Sequence, residues 1–182
     1  QRKMCIRDSG RSTNGTAVDA NGTGSILITA VAGTVTGNAD IYSGTGHITV
    51  KAHVNVALTE DVDVKTTTGG TVSIDAATGT LTMHGSATVE ATSSTARLWA
   101  ERDVTVGNLT ATNVSIGSTS GAIINAAGSS KNVTAANLRL EAQGSIGVAD
   151  RHLTTDIDTV SAHAATGSVY ITEDDGAIVT SV

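Results

Sequence analysis

Polar and apolar residues alternate along most of this chain in short, similar runs. Residues 24–30 read Gly-Ser-Ile-Leu-Ile-Thr-Ala, residues 46–52 Gly-His-Ile-Thr-Val-Lys-Ala and residues 70–76 Gly-Thr-Val-Ser-Ile-Asp-Ala. A period of two is the mark of a strand with one buried face. In the third copy Val72, Ile74 and Ala76 point one way, and Thr71, Ser73 and Asp75 the other. A weaker copy spans 94–100, with Ala96 and Leu98 inside, and later copies span 112–118, 136–142 and 167–172. The closing residues 30, 52, 76, 100, 118 and 142 are 22, 24, 24, 18 and 24 apart. Self-similarity at a period of about 20–50 residues is the signature of a stacked array.

The clearest internal copy is residues 109–117 on 133–141, at an offset of 24, with Asn113 on Asn137, Val114 on Leu138 and Ile116 on Leu140. Two further short strands fit between successive copies: residues 54–58 and 61–64, then 80–83 and 87–90. No stretch carries an apolar stripe at helical spacing. The expected fold is therefore all-β: a parallel β-helix of about seven turns, each of roughly 18–24 residues with three short strands. Rows stacked at ~4.8 Å would make a rod on the order of 35 Å long. A sheet with water outside keeps the half-polar pattern seen here, whereas a parallel sheet covered on both faces does not.

Composition supports a slender interior. The 182 residues include 20 Gly, one Trp, two Tyr, no Phe and no Pro. Aromatic bulk for a wide core is missing, so Val, Ile, Leu and Ala must fill it. The apolar runs are too short to cross a membrane.

Residues 1–10 do not match the rest of the chain. Arg2, Lys3 and Arg7 crowd there with Cys5, the single cysteine. This Met-Cys-Ile-Arg-Asp-Ser leader reads as non-native or disordered, and residues 11–182 as the β-helix. Setting residues 1–11 aside leaves seven basic against sixteen acidic residues. A body that acidic repels phosphate, so no nucleic-acid partner is expected. Without Cys5 there is no disulfide or thiolate site. No signal peptide is visible, and residues 177–182 are strand-like to the end, so the expectation is a segment of a longer chain.

Residues 138–147, Leu-Arg-Leu-Glu-Ala-Gln-Gly-Ser-Ile-Gly, followed by Leu153, by Thr159-Val160-Ser161-Ala162 and by residues 167–172, resemble the repeat region of filamentous haemagglutinin-like bacterial surface adhesins. His152-Leu153 stands where that family often has Pro-Leu. The resemblance is clearest over residues 109–182. It implies a right-handed β-helix, exported by a two-partner route through an outer-membrane transporter to the cell surface. It also implies an adhesive or structural stalk facing glycans or cell surfaces, with no catalytic residue, metal or cofactor.

Two other classes are weighed. A carbohydrate-active β-helix, a lyase, hydrolase or glycan binder, would cluster carboxylates on one face. Asp61 and Asp63 share a face, as do Asp156 and Asp158, but neither pair is expected to have a carboxylate one turn above or below. Glu173-Asp174-Asp175-Gly176 is a candidate cation turn. Lys51 beside Asp75 is expected as a surface ion pair. The glycines of residues 117–121 have the spacing of a nucleophile elbow around Thr119, but no helix comes after it. Gly44-Thr45-Gly46 lacks the third glycine of a phosphate loop. His47, His53, His84, His152 and His163 show no ligand spacing. Asn108 and Asn132 open chance Asn-x-Ser/Thr triplets. An ice-binding solenoid is the remote class. Thr34/Thr36 and Thr80/Thr82 would share a column, which Val56/Leu58 and Val104/Val106 are expected to interrupt.

Overall fold

The structure, a computed structural model, describes residues 16–20 and 22–181. Residues 1–15, which include the expected leader, lie outside the described residues, as do Asn21 and Val182. Seventeen strands and no helix occur among those described.

The strands form three faces of a parallel β-helix of about seven turns. The first face begins with Thr16–Ala20, Asp40–Ser43 and Asp63–Thr66. The second begins with Ile26–Ala30, Ile48–Ala52 and Val72–Ala76. From the fourth turn, one long strand serves both faces, bending at the corner between them: Thr88–Ala100, Asn108–Ser118, Val133–Ala142 and Leu153–Ala164. Ile171–Glu173 and Ile178–Val179 end the first and second faces. The third face is a separate five-stranded sheet of Val35–Gly37, Val56–Leu58, Leu81–Met83, Val104–Val106 and Ile123–Asn125. Single parallel bridges from Ile123 to Ile146 and from Ile146 to Val169 extend it.

The second face shows why these residues form these strands. Ile26, Ile48, Val72, Ala96, Val114, Leu138 and Val160 stack in register, and two positions on so do Ile28, Val50, Ile74, Leu98, Ile116, Leu140 and Ala162. Val50, Ile74, Leu98, Ile116 and Leu140 are fully buried. Each such side chain contributes roughly 1.5–3 kcal/mol by leaving water. β-Branched residues suit these positions because their stiff side chains pack on a pleated surface. The third column closes the face with Ala30, Ala52, Ala76, Ala100, Ser118, Ala142 and Ala164, small where the chain turns the corner.

Glycine opens the same strands for a steric reason. A Cβ on Gly46 would strike the carbonyl oxygen of Gly24, and one on Gly70 that of Gly46. Gly44-Thr45-Gly46 is thus a corner packed backbone on backbone. Where a corner needs a left-handed residue without glycine, Asp61 (φ 55°) and Ser93 (φ 57°) supply it, polar residues of types found there.

Two registers differ from expectation. Residues 167–172 do not form the last second-face strand. Val169 bridges to the third face and Ile171 pairs with Leu153 on the first. The second-face member is Thr159–Ala164 inside the longer strand. The outward residues one turn beyond Asn137, Arg139 and Glu141 are therefore Thr159, Ser161 and His163, not Ser168, Tyr170 and Thr172, and Ile178 stacks next on Thr159. On the third face, Val35 pairs with Val56 and Thr36 with Ala57. Val56, Leu58, Val104 and Val106 all face inward and interrupt no outer column.

Candidate functional site

Chemistry in this protein has to sit outside, because the interior is mainly a stack of aliphatic side chains, with a few hydroxyl and amide groups among them. Outward side chains line up across turns, so each face carries columns of groups at the strand spacing of ~4.8 Å.

On the first face carboxylates do stack, contrary to expectation. The Asp63 backbone N–H donates to Asp40 Oδ1 at 2.9 Å, one turn below. The Tyr42 hydroxyl donates to Asp63 Oδ2 at 3.3 Å. Its phenol is pushed up to about 12, first by burial and then by the negative charges of Asp40 and Asp63. Higher up, Lys65 Nζ meets Glu90 Oε2 at 2.7 Å. Burial alone would raise the Glu90 carboxyl; hydrogen bonds from Lys65 and Thr92, with the lysine charge, outweigh it and hold the group below its usual range.

The other acidic group lies where the last turns meet. Carboxylate oxygens of Asp156, Glu173 and Asp175 fall within 4.8 Å of one another. Cation chemistry is already supplied there by the protein. Lys131 Nζ is 2.8 Å from Asp156 and 2.7 Å from Asp174, and these bonds raise the lysine pKa. Glu173 accepts from the Thr155 hydroxyl and from the Ile157 N–H. Asp158 and Asp61 take no part in either cluster.

A polar pair that the spacing did not reveal lies inside the corner between the third and first faces. Asn132 is fully buried and Asn125 nearly so. Asn132 Nδ2 donates to the carbonyls of Val106 and Gly107 and to Asn125 Oδ1, at 2.8, 3.2 and 3.2 Å. Its Oδ1 accepts from the Thr154 N–H and hydroxyl. Asn125 Nδ2 donates to the His152 carbonyl at 2.6 Å. The pair ties three successive turns together and satisfies backbone groups that the corner leaves free. The triplet at Asn132 is therefore structural.

The second face carries the chain's one tryptophan. Trp99 and Gly117 pair across adjacent turns, and the indole lies over the glycine so closely that a Cβ there would come within 1.9–2.4 Å of three ring carbons. The Arg97 guanidinium sits 4.7 Å from the ring centre and also pairs with Asp75 at 3.3 Å. Asp75 thus takes Arg97 as its ion-pair partner where Lys51 was expected. Two turns on, Arg139 binds Glu141 at 2.7 Å. Hollows lie on either side of that pair. One, of about 400 Å³, is bordered by Thr95, Asn113, Asn137, Arg139, Thr159 and Ser161. The other, of about 170 Å³, is bordered by Trp99, Glu141, Gln143 and His163.

The five histidines sit outside. His47, His84 and His152 bond through Nδ1 to the hydroxyls of Thr71, Ser86 and Thr172 at 2.9, 2.9 and 2.8 Å, and His152 stacks on Tyr170. His53 and His163 are exposed. Thr119 is exposed after the strand Asn108–Ser118, with no helix behind it. The third face carries Thr36, Ala57, Thr82, Thr105 and Ile124 in one outward column. Threonines therefore recur there, interrupted by Ala57 and Ile124. Among the described residues no helix is long and apolar enough to cross a membrane.

No protein-family model matches the chain. No curated protein and no solved structure matches it significantly either.

Proposed function

We propose that this chain is a segment of the stalk of a large bacterial surface adhesin of the filamentous haemagglutinin-like kind. In this reading the helix is right-handed, reaches the cell surface through an outer-membrane transporter by a two-partner route, and works by spanning distance and presenting side chains to glycans or cell surfaces. The observation that carries it is the repeated, in-register stack with a mainly aliphatic interior. Such a body extends by adding turns, and each turn is supported by its neighbours. The repeat motif at residues 138–147 supports the family reading. Carboxylates engaged by Lys65, Lys131, Thr155 and backbone N–H groups support presentation over catalysis.

Beads coated with the chain test the adhesive part: they should attach to glycan-bearing surfaces more than beads coated with an unrelated β-helix. Equal attachment would leave a spacer only. The runner-up, a polysaccharide lyase or hydrolase, is tested by incubating the chain with acidic polysaccharides. Release of unsaturated or reducing ends would replace the stalk reading with an enzymatic one.

A further inference from the structure

We propose that the second face holds a binding groove for an uncharged, linear polysaccharide lying along the axis of the helix. This deepens the adhesive reading and rests on it only in taking the ligand to be a glycan.

Beside Val114, Leu138 and Arg139, the groove of about 400 Å³ is bordered by amides and hydroxyls, groups that both donate and accept. They form a ladder across turns. Asn137 Nδ2 donates to Asn113 Oδ1 at 2.9 Å, and the Thr159 hydroxyl donates to Asn137 Oδ1 at 2.8 Å. Equivalent groups recur from turn to turn at ~4.8 Å, so a chain laid lengthwise meets the same chemistry at successive units. A second observation points to a ligand. Ser161 borders this groove, is 9% exposed, and its Oγ is the buried side-chain polar atom among the described residues with no hydrogen-bond partner. A buried hydroxyl without a partner is costly, and a sugar hydroxyl that displaces the Thr180–Ser181 segment bordering the same groove can supply one.

Charge selects the class of sugar. Both guanidinium groups on this face are already neutralised, Arg97 by Asp75 and Arg139 by Glu141. An anionic glycan would have to break those pairs within a body of net negative charge. A neutral sugar leaves them intact. Across the Arg139–Glu141 pair, the part of Trp99 that Gly117 and Arg97 leave uncovered borders the second hollow, an apolar surface with a polar handle beside it.

The single tryptophan makes the test specific, since all indole emission reports Trp99. The 182-residue chain is titrated separately with β-linked hexasaccharides of glucose, xylose, mannose and N-acetylglucosamine, and with heparin as the charged comparator. Calorimetry runs in parallel for ligands that do not disturb the indole. At least one neutral hexasaccharide should bind saturably, and heparin should not compete. Asn137→Ala and Ser161→Ala should each weaken binding by about tenfold, the loss of one well-made hydrogen bond. Thr82→Ala, on the third face, should not. Ser161→Ala should also keep or raise the Tm, because it removes an unpaired buried hydroxyl, so its loss of affinity is separable from unfolding. Absence of binding by both methods overturns the proposal, as does unchanged affinity in both variants. Heparin binding in the same groove would make it an anion site and overturn the uncharged class. Bead attachment that persists in Asn137→Ala would refute this groove while leaving the adhesive reading standing.

Discussion

At the scale of single residues, polar side chains do the corner work that glycine and alanine cannot. Asn132 bonds Val106, Gly107, Asn125 and Thr154 from a fully buried position. Asn132→Ala should therefore cost about 3 kcal/mol, because the Thr154 N–H loses its acceptor and the Asn125 side-chain oxygen its donor inside the protein, while the Val106 and Gly107 carbonyls fall back on Ala126 and Ser129. Denaturant unfolding measures it, and a loss below about 0.5 kcal/mol would show that water replaces the amide. Tyr42 gives a second, pH-dependent prediction. Its folded pKa of about 12 lies above the ordinary value of 10.0. A raised pKa means stability that is complete below pH 10 and drains away as pH climbs through 12. Tyr42→Phe should remove that alkaline loss while leaving stability at pH 7 nearly unchanged. Ultraviolet titration of the protein against Tyr42→Phe should assign to Tyr42 an ionisation well above pH 10, and a Tyr42 ionisation near pH 10 would contradict it. Neither residue was legible in advance. Asn132 looked like a chance triplet because its partners lie in other turns. The Trp99–Gly117 contact did leave a trace, a large aromatic succeeded by glycine at the next place in one outward column. Nothing in the spacing said that the ring would lie down on it.

At the scale of strands, period-two alternation was enough to place the second face residue by residue as far as Ala142. It failed at residues 167–172 for a definable reason. Gly-Ser-Val-Tyr-Ile-Thr has the same small-polar-apolar rhythm as a second-face strand, but rhythm alone does not say which face a strand occupies. The true member, from Thr159 to Ala164, opens without glycine and puts Ala162 where other turns have Ile or Leu, so it looked weaker than the decoy. The third-face slip has a similar cause. Thr36 and Thr82 do share the outward column, but burial of Val56, Leu58, Val104 and Val106 puts Ala57 and Thr105 in it instead of those residues, and a shift of one residue reverses every side chain. The same logic fixes a core prediction. Leu140 is fully buried between Ile116 and Ala162. Leu140→Asn should cost at least about 3 kcal/mol, combining the lost burial with an unpaired amide. Thr134→Asn, on the same strand but facing outward, should stay within about 0.5 kcal/mol. Equal effects in thermal melts would mean that the strand faces are misassigned.

At the scale of the whole molecule, polar and charged groups divide unevenly among the faces. The ion pairs lie on the first and second faces and in the last turns, while the strand positions of the third face carry threonine, alanine and isoleucine outward. Surface pairs of this kind contribute well under ~1 kcal/mol each and weaken with salt, so the stack should hold its shape in concentrated salt. The acidic balance that argued against nucleic acid is a property of the whole exterior, and was legible from composition alone. The placement of those charges was not, because it depends on which turn lies above which.

The stretch from Leu109 to Ser118 pairs with that from Val133 to Ala142 at a constant offset of 24 residues. Removing residues 110–133 would join Leu109 to Thr134, and every later side chain would inherit the partner of the one it replaced. The shortened protein should fold cooperatively, with its longest dimension reduced by about 4.8 Å in solution scattering; a molten product would show that the two layers are not interchangeable. A gene built this way can slip by one such unit during copying and still encode a sound product. Reach then becomes a heritable quantity, adjustable in whole steps by replication error without a single new side chain having to be selected.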